Sequence, residues 1–323
     1  MLSRRRLLLT AGLTVACPAV LRAAPLQMRL AHGLPTGHPV HAAMQYFADL
    51  AHEHSRGEIE IALFADGQLG QEVDLLSQIQ AGKLDFLKVS ASVLERLHPA
   101  YGVLNLPFSL RDRAHWLAVT NGPVGRDILA STAASGMVGL TFYDAGTRSF
   151  YGHKPIDHPD DLKGMKIRIQ ASDTMQRLLQ LFGAEGIRLD WSNIYVALKS
   201  GLVDGAENSV AALLVGKHRE VVTHYSFDEH TRIADVLLVG TERLYGMTPQ
   251  QQQIIRDAAA ASYLHMNELW TAFEATTRAQ VAQYGITFVY PDKAPFIARA
   301  APLADEFAGE EASRILLRRI AQA

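Results

Sequence analysis

Three short runs decide how this chain folds: Met28-Arg29-Leu30-Ala31, Ile59-Glu60-Ile61-Ala62-Leu63 and Leu84-Asp85-Phe86-Leu87-Lys88-Val89. Each reads as a strand. In the second, Ile59, Ile61 and Leu63 alternate with Glu60 and Ala62, the period that turns one face of a strand inward. Between the first two runs, Val40, Met44, Phe47 and Ala51 recur at steps of four, three and four, which is one face of a helix. Between the second and third, Val73, Leu76 and Ile79 mark a shorter helix that Gly82 stops. Strand, helix, strand, helix, strand predicts a mostly parallel sheet with helices on both faces.

Working outward, the alternation continues. Residues 137–143 read as a buried strand that ends at Gly146, and 165–170 as another. Ser172 caps a helix through Phe182, and Asp190 is placed as the N-cap of a helix over 191–200. Residues 201–208 hold a turn and a strand, and 233–239 a further apolar strand. Pro249 opens a helix towards Tyr284, with a seam of Ile255, Ala259, Ser262, Met266, Leu269 and Phe273. Such a helix is ~50 Å long, enough to cross two domains. A last strand over 286–290 and a terminal helix close the chain. The pattern predicts two α/β lobes and a ligand cleft at the carboxyl ends of the strands.

The 323 residues leave room for two domains. With 31 Lys+Arg against 33 Asp+Glu, the formal charge is −2. No basic excess exists to neutralise a phosphate backbone, which argues against nucleic acid as a partner. The single cysteine, Cys17, rules out an internal disulfide framework. Residues 1–24 read as an export signal: Arg4, Arg5 and Arg6, then an apolar run over 7–15, then Ala16, Ala19, Ala23 and Ala24. Ser3-Arg4-Arg5-Arg6-Leu7-Leu8 resembles a twin-arginine signal. The run is shorter than the roughly 20 apolar residues that span a bilayer, so the mature chain is expected to have no stable membrane insertion. Cleavage near Ala23 removes Arg4, Arg5, Arg6, Arg22 and Cys17, leaving a charge of −6 and no thiol, which suits an oxidising compartment.

Cofactor and catalytic signatures are missing. No G-x-G-x-x-G follows a strand, and neither G-x-x-x-x-G-K-[ST], G-x-S-x-G nor C-x-x-C-H occurs. Of the thirteen histidines, His38 and His41 lie three apart and His52 and His54 two apart, without H-E-x-x-H or a third ligand. They read as solvated rather than metal-binding. No local pairing of nucleophile and base points to an enzyme.

One constellation stands out. Arg168 sits in Lys166-Ile167-Arg168-Ile169-Gln170. If Ile167 and Ile169 face the core, Arg168 faces the other way, towards covering helices or an open cleft. In a cleft its guanidinium would grip a carboxylate by two parallel hydrogen bonds; the alternative is a surface arginine on an edge strand. Arg148 follows a strand end, Asn208 closes a strand with an amide that both donates and accepts, and Trp191 offers an apolar wall. Asp235 lies in an apolar run and needs a partner, a ligand hydroxyl or a local amide.

These motifs resemble, in order along the chain, the solute-binding proteins of tripartite ATP-independent periplasmic (TRAP) transporters, the DctP family. The resemblance covers 26–290. It is carried by Gly37-His38-Pro39, Gln68-Leu69-Gly70, Pro107-Phe108 with Arg111-Asp112, Gly146-Thr147-Arg148-Ser149-Phe150, Asp161-Leu162-Lys163-Gly164-Met165-Lys166-Ile167-Arg168, Tyr195-Val196-Ala197-Leu198 and 201–208. It implies a two-lobed periplasmic-binding-protein fold, with two mixed or parallel sheets flanked by helices and a hinge between the lobes. The first lobe is expected over 25–145 with contributions from about 236–270, and the second over 146–235. The long helix over 249–285 crosses both, and 286–323 supply the last strand and helix.

The resemblance further implies that Arg168 binds a substrate carboxylate, that Arg148 and Asn208 assist, and that Trp191 packs on the ligand. His32 and Glu72 fall where the first lobe lends polar contacts. Asn193 stands where family members often carry glutamate. The stretch 224–230 with Asp235 resembles members that bind sugar acids such as uronates. The implied partners are a small organic acid and a TRAP membrane permease, in the periplasm, with no cofactor or metal and no chemical change to the ligand. A C4-dicarboxylate is the alternative ligand, with Arg148 as a second cation. An exported enzyme acting on organic acids is the rival reading from another class.

Overall fold

The structure, a computed structural model, describes residues 24–323; the export segment read over 1–24 lies outside the described residues apart from Ala24. Among the described residues the strands are β1 (Leu26–Ala31), β2 (Ile59–Phe64), β3 (Phe86–Ser90), β4 (Met137–Gly152), β5 (Lys166–Ile169), β6 (Glu185–Arg188), β7 (Gly205–Asn208), β8 (His224–Gly240) and β9 (Thr287–Val289). They lie in the order β2-β1-β3-β8-β4-β7-β5-β6, with β9 beside β8. β1 runs parallel to β2 and β3, and β5 parallel to β6 and β7, as the strand–helix alternation predicts. β8 is antiparallel to β3 and β4, and β4 to β7, so the sheet is mixed.

The sequence reads as one sheet per lobe, with a strand that stops at Gly146. In the structure β4 has 16 residues and β8 has 17, and both run through the two halves of the molecule, so the two sheets are joined. Gly146 has a φ of +80° and sits in an irregularity rather than at an end. The register slips between Asp144 and Thr147, and again between Arg148 and Phe150, before Phe150 settles opposite Ser226. Such bulges bend a strand and increase its twist. Here they fall where both long strands pass from one half to the other.

Each half packs helices on both faces. In the first, the helix Pro39–His54 buries Val40, Met44, Phe47 and Ala51 against Met28, Leu30, Phe86 and Leu237. The opposite face carries the helix Glu72–Gln80, whose Leu75, Leu76 and Ile79 join Leu87, Val89 and Val236. In the second half, Ile167 and Ile169 pack with Phe150, Leu178, Phe182 and Phe296. Ile194, Ala206 and Tyr225 fill the other face. The helix Pro249–Gln283 gives Ile255 and Trp270 to the first core and Val281 to the second, so it spans both as expected.

Two local expectations change. Asp190 makes no side-chain capping bond; the chain takes a single 3-10 turn at Trp191–Asn193 before the helix Ile194–Ser200. The terminal helix is two, Ala294–Ala308 and Glu311–Ala321. Ser172 does cap its helix, its Oγ accepting from Met175 N at 3.0 Å.

Candidate ligand-binding site

Between the halves, at the carboxyl ends of β1, β3, β5 and β7, lies a cleft of about 240 Å³. That is a little under the ~300–1,000 Å³ typical of drug-sized ligands, so it holds one small molecule and not a chain. Arg168, Arg148, Asn208, Trp191, Glu72 and Asp235 all line it. Lys88, His38, Gln170, Asp190 and Asn193 line it as well.

Arg168 reaches the cleft because its neighbours cannot. Ile167 and Ile169 are fully buried in the core of the second half. Burying such side chains stabilises by about 1.5–3 kcal/mol each, and a one-residue slip would exchange both for a guanidinium. Arg168 is itself only 2% exposed. Its Nε and Nη2 donate to the Leu189 carbonyl at 2.8 and 2.6 Å. Nη1 is buried and has no hydrogen-bond partner among the described residues. Burial pulls this guanidinium down to about 10, against the pull of Glu207 the other way, which still leaves it charged at neutral pH. Leaving a buried charged donor unsatisfied is costly.

Arg148 is differently placed. Its Nε and Nη2 grip the two Glu207 carboxylate oxygens at 2.5 and 2.7 Å, a bidentate pair buried in the sheet. Its charge is answered within the chain, so Arg148 is not a free second cation for a dicarboxylate. Its Nη1 donates to Asn208 Oδ1 at 3.2 Å, and Ser209 N donates to the same oxygen at 2.8 Å. That leaves the Asn208 amide nitrogen to donate into the cleft. Beneath lies His230, with Nδ1 2.6 Å from Asp228 and Nε2 3.5 Å from Glu207. Burial works to strip His230 of its proton, but Asp228 and Glu207 outweigh it and hold it up to about 9. Burial likewise pushes Glu207 up, but Arg148 and His230 prevail and keep it at about 2.

The facing wall is built around a lysine that the sequence reading passed over. Lys88 Nζ donates to Glu72 at 2.9 Å and to Asp235 at 3.1 Å. Asp235 therefore meets an ammonium rather than the local amide. Ser90 N also donates to Glu72 Oε1. His32 does not reach the cleft: it is fully buried, with Nε2 3.0 Å from His41 Nδ1 and with its Nδ1 accepting from Leu34 N. His38 lines the wall instead. Its Nδ1 accepts from Val40 N at 3.2 Å, capping the helix Pro39–His54. That fixes the proton on Nε2. Burial and the Lys88 charge hold His38 down to about 3, so it is a neutral donor. The histidines are thus not simply solvated: His32, His38, His98, His115, His218 and His230 are all buried.

Trp191 stands at the opposite wall with its ring 5.4 Å from that of His218. Asn193, in place of an acid, makes no capping bond to the helix it precedes. Among the described residues no group of three or more His, Cys, Asp or Glu is arranged to hold a metal ion. Among them, too, no helix is long and apolar enough to cross a membrane.

A buried, partly satisfied guanidinium in a cleft between two sheet-based halves has the geometry of a site for one small anion. The comparisons agree. The family model DctP, bacterial extracellular solute-binding protein family 7, matches residues 30–311, and the chain belongs to that family. It is 37% identical over 281 residues to the uncharacterized protein YiiZ of Salmonella typhimurium, covering 86% of each chain. A TRAP periplasmic solute-binding protein from Xanthobacter autotrophicus Py2, solved with bound β-D-galacturonate, matches with a TM-score of 0.90. It is 39% identical, over 92% of this chain and all of that one. Another from Roseobacter denitrificans, with bound β-D-glucuronate, gives a TM-score of 0.88 at 32% identity, over 91% of this chain and 99% of the other.

Proposed function

We propose that this protein is the periplasmic binding component of a TRAP-type transport system. It captures a sugar acid of the hexuronate class and hands it to a permease driven by an ion gradient. The observation that carries this reading is Arg168 Nη1, a buried donor with no partner among the described residues, on the wall of a cleft sized for one small molecule. A ligand carboxylate supplies the missing acceptor. Two solved relatives that hold uronates support the choice of class.

The halves act as lobes, the first over 25–145 with parts of 236–270 and the second over 146–235. They hinge where the bulges interrupt β4 and β8. Closure expels water, and the lower local dielectric strengthens the guanidinium–carboxylate attraction. Asn208 donates beside the carboxylate, Trp191 covers the sugar face, and Glu72 and Asp235 accept from ring hydroxyls. No bond is made or broken, and the ligand leaves as it came.

Titration calorimetry and thermal unfolding with D-galacturonate and D-glucuronate test the reading. A ligand at 100 times its Kd adds about 2.7 kcal/mol of stability, and the acid is recovered unaltered. Failure of every hexuronate to bind, or its conversion to another compound, would remove the proposal.

A further inference from the structure

The two walls of the cleft differ in charge. On the side of β5 and β7, Arg168 has no ion-pair partner and its Nη1 no hydrogen-bond partner among the described residues, while Arg148 is paired with Glu207 and Arg188 with Asp173 at 2.5 Å. On the side of β3 and β8, one ammonium faces two carboxylates: Lys88 is held between Glu72 and Asp235. Glu72 Oε1 accepts from Lys88 and from Ser90 N, and Asp235 Oδ1 accepts from Lys88. The other oxygen of each carboxylate has no hydrogen-bond partner among the described residues, and both side chains line the cleft. Asp190 also lines the cleft, near Arg168 but without an ion pair to it among the described residues, and does not belong to the Lys88 wall. The cleft thus has a guanidinium with a free donor and no ion-pair partner at one end and one ammonium to two carboxylates, an excess of negatively charged acceptor oxygens, at the other.

We infer that the Lys88–Glu72–Asp235 triad is a charge filter that admits a monocarboxylate with hydroxyls at its far end and rejects a second carboxylate there. This rests on the hexuronate reading and sharpens it. When Arg168 holds the carboxylate of a uronic acid, the remote hydroxyls are donors and satisfy the free oxygens of Glu72 and Asp235. An aldaric acid of the same carbon skeleton, or a C4-dicarboxylate, brings a second carboxylate in their place. That group has no hydrogen to donate, and its charge faces two like charges in a site shielded from water. Like-charge juxtaposition at a buried interface is a strong means of rejection. Lys88 cannot rescue it, because both Glu72 and Asp235 already draw on its ammonium and it is buried.

The test compares D-galacturonate with galactarate, and D-glucuronate with D-glucarate, by titration calorimetry at neutral pH. L-galactonate and L-gulonate, open-chain monocarboxylates that differ from those aldarates only at the terminal carbon, are the controls for loss of the ring; an aldonate bound as weakly as its aldarate overturns the filter. The wild-type chain is expected to bind each aldarate about 30-fold more weakly than its uronate, or worse. In Glu72→Gln and Asp235→Asn, which remove one charge while keeping an acceptor oxygen, that ratio is expected to shrink about tenfold or more. Wild-type binding of an aldarate within about threefold of its uronate overturns the filter, even if neither variant folds. A large wild-type ratio that stays the same in both folded variants overturns the triad as its source. Absence of binding by uronates and aldarates alike instead strikes the hexuronate reading itself. Tight aldarate binding without uronate binding overturns the filter while leaving carboxylate capture intact.

Discussion

Arg168 spends two of its three guanidinium nitrogens on one carbonyl, Leu189 O, and the third, Nη1, has no partner among the described residues. This fixes the plane of the fork before any ligand arrives, which lowers the ordering cost of binding. Arg168→Ala is expected to weaken hexuronate binding by 2–5 kcal/mol, roughly 30- to several-thousand-fold. Arg168→Lys should also bind poorly, because a single ammonium lacks the rigid plane that anchors on Leu189 O and aims a further donor into the cleft. Calorimetric affinities within about twofold of wild type would contradict the assignment. Arg168 was legible because a charge stands between two isoleucines. The same sign marks Lys88, between Leu87 and Val89, and would have revealed the facing wall had it been applied there. Glu207 was not legible as the partner of Arg148. That pairing depends on β4 lying beside β7 with Phe150 opposite Glu207, a non-local register that residue spacing does not encode. His32 and His38 show the remaining gap: both belong to the same loop and both are buried, and only packing decides which of them lines the cleft.

At the scale of elements, the long strands were the part least visible in sequence. A glycine with positive φ reads equally as a stop or as a bulge, and the neighbouring strand decides. Gly146 is required twice over. Its φ is +80°, and a Cβ there would run into the Trp270 ring and come within 3.1 Å of Ser209 Cβ. Gly164 has nearly the same φ, +77°, but open space around it. Gly164→Ala is therefore expected to cost only backbone strain, about 1–3 kcal/mol, whereas Gly146→Ala adds overpacking of a further 1–3 kcal/mol or so. Urea unfolding of the two variants separates these contributions. Equal losses would mean that the approach of Trp270 does not constrain the bulge. The alternating helices and short parallel strands, by contrast, followed directly from periodicity, because each buries one face against the same sheet.

For the whole molecule, buried titratable groups set the working range of pH. His32, His38 and His218 are each held down to about 3, by burial first and then by nearby positive charge, Lys88 for the first two and Arg168 for the third. As pH falls below about 6.5, the unfolded chain takes up protons at these sites and the folded chain does not, so stability falls. Each site contributes on the order of 1.4 kcal/mol per pH unit in that window. Glu207, held at about 2, acts in the same sense from its ordinary carboxylate range downward. His230, held up to about 9, acts oppositely: its contribution is full below about 6.5 and is lost as pH rises through about 9. Stability measured by urea midpoint is expected to peak near neutrality and to fall faster on the acid side. A flat profile between about pH 4 and pH 7 would contradict buried neutral imidazoles.

Two of the three tryptophans, Trp116 and Trp270, are sealed in the first core, while Trp191 alone looks into the cleft. The molecule therefore carries its own optical probe. Ligand arrival should change the emission of one indole against a constant background, and Trp191→Phe should silence that signal without silencing the other two.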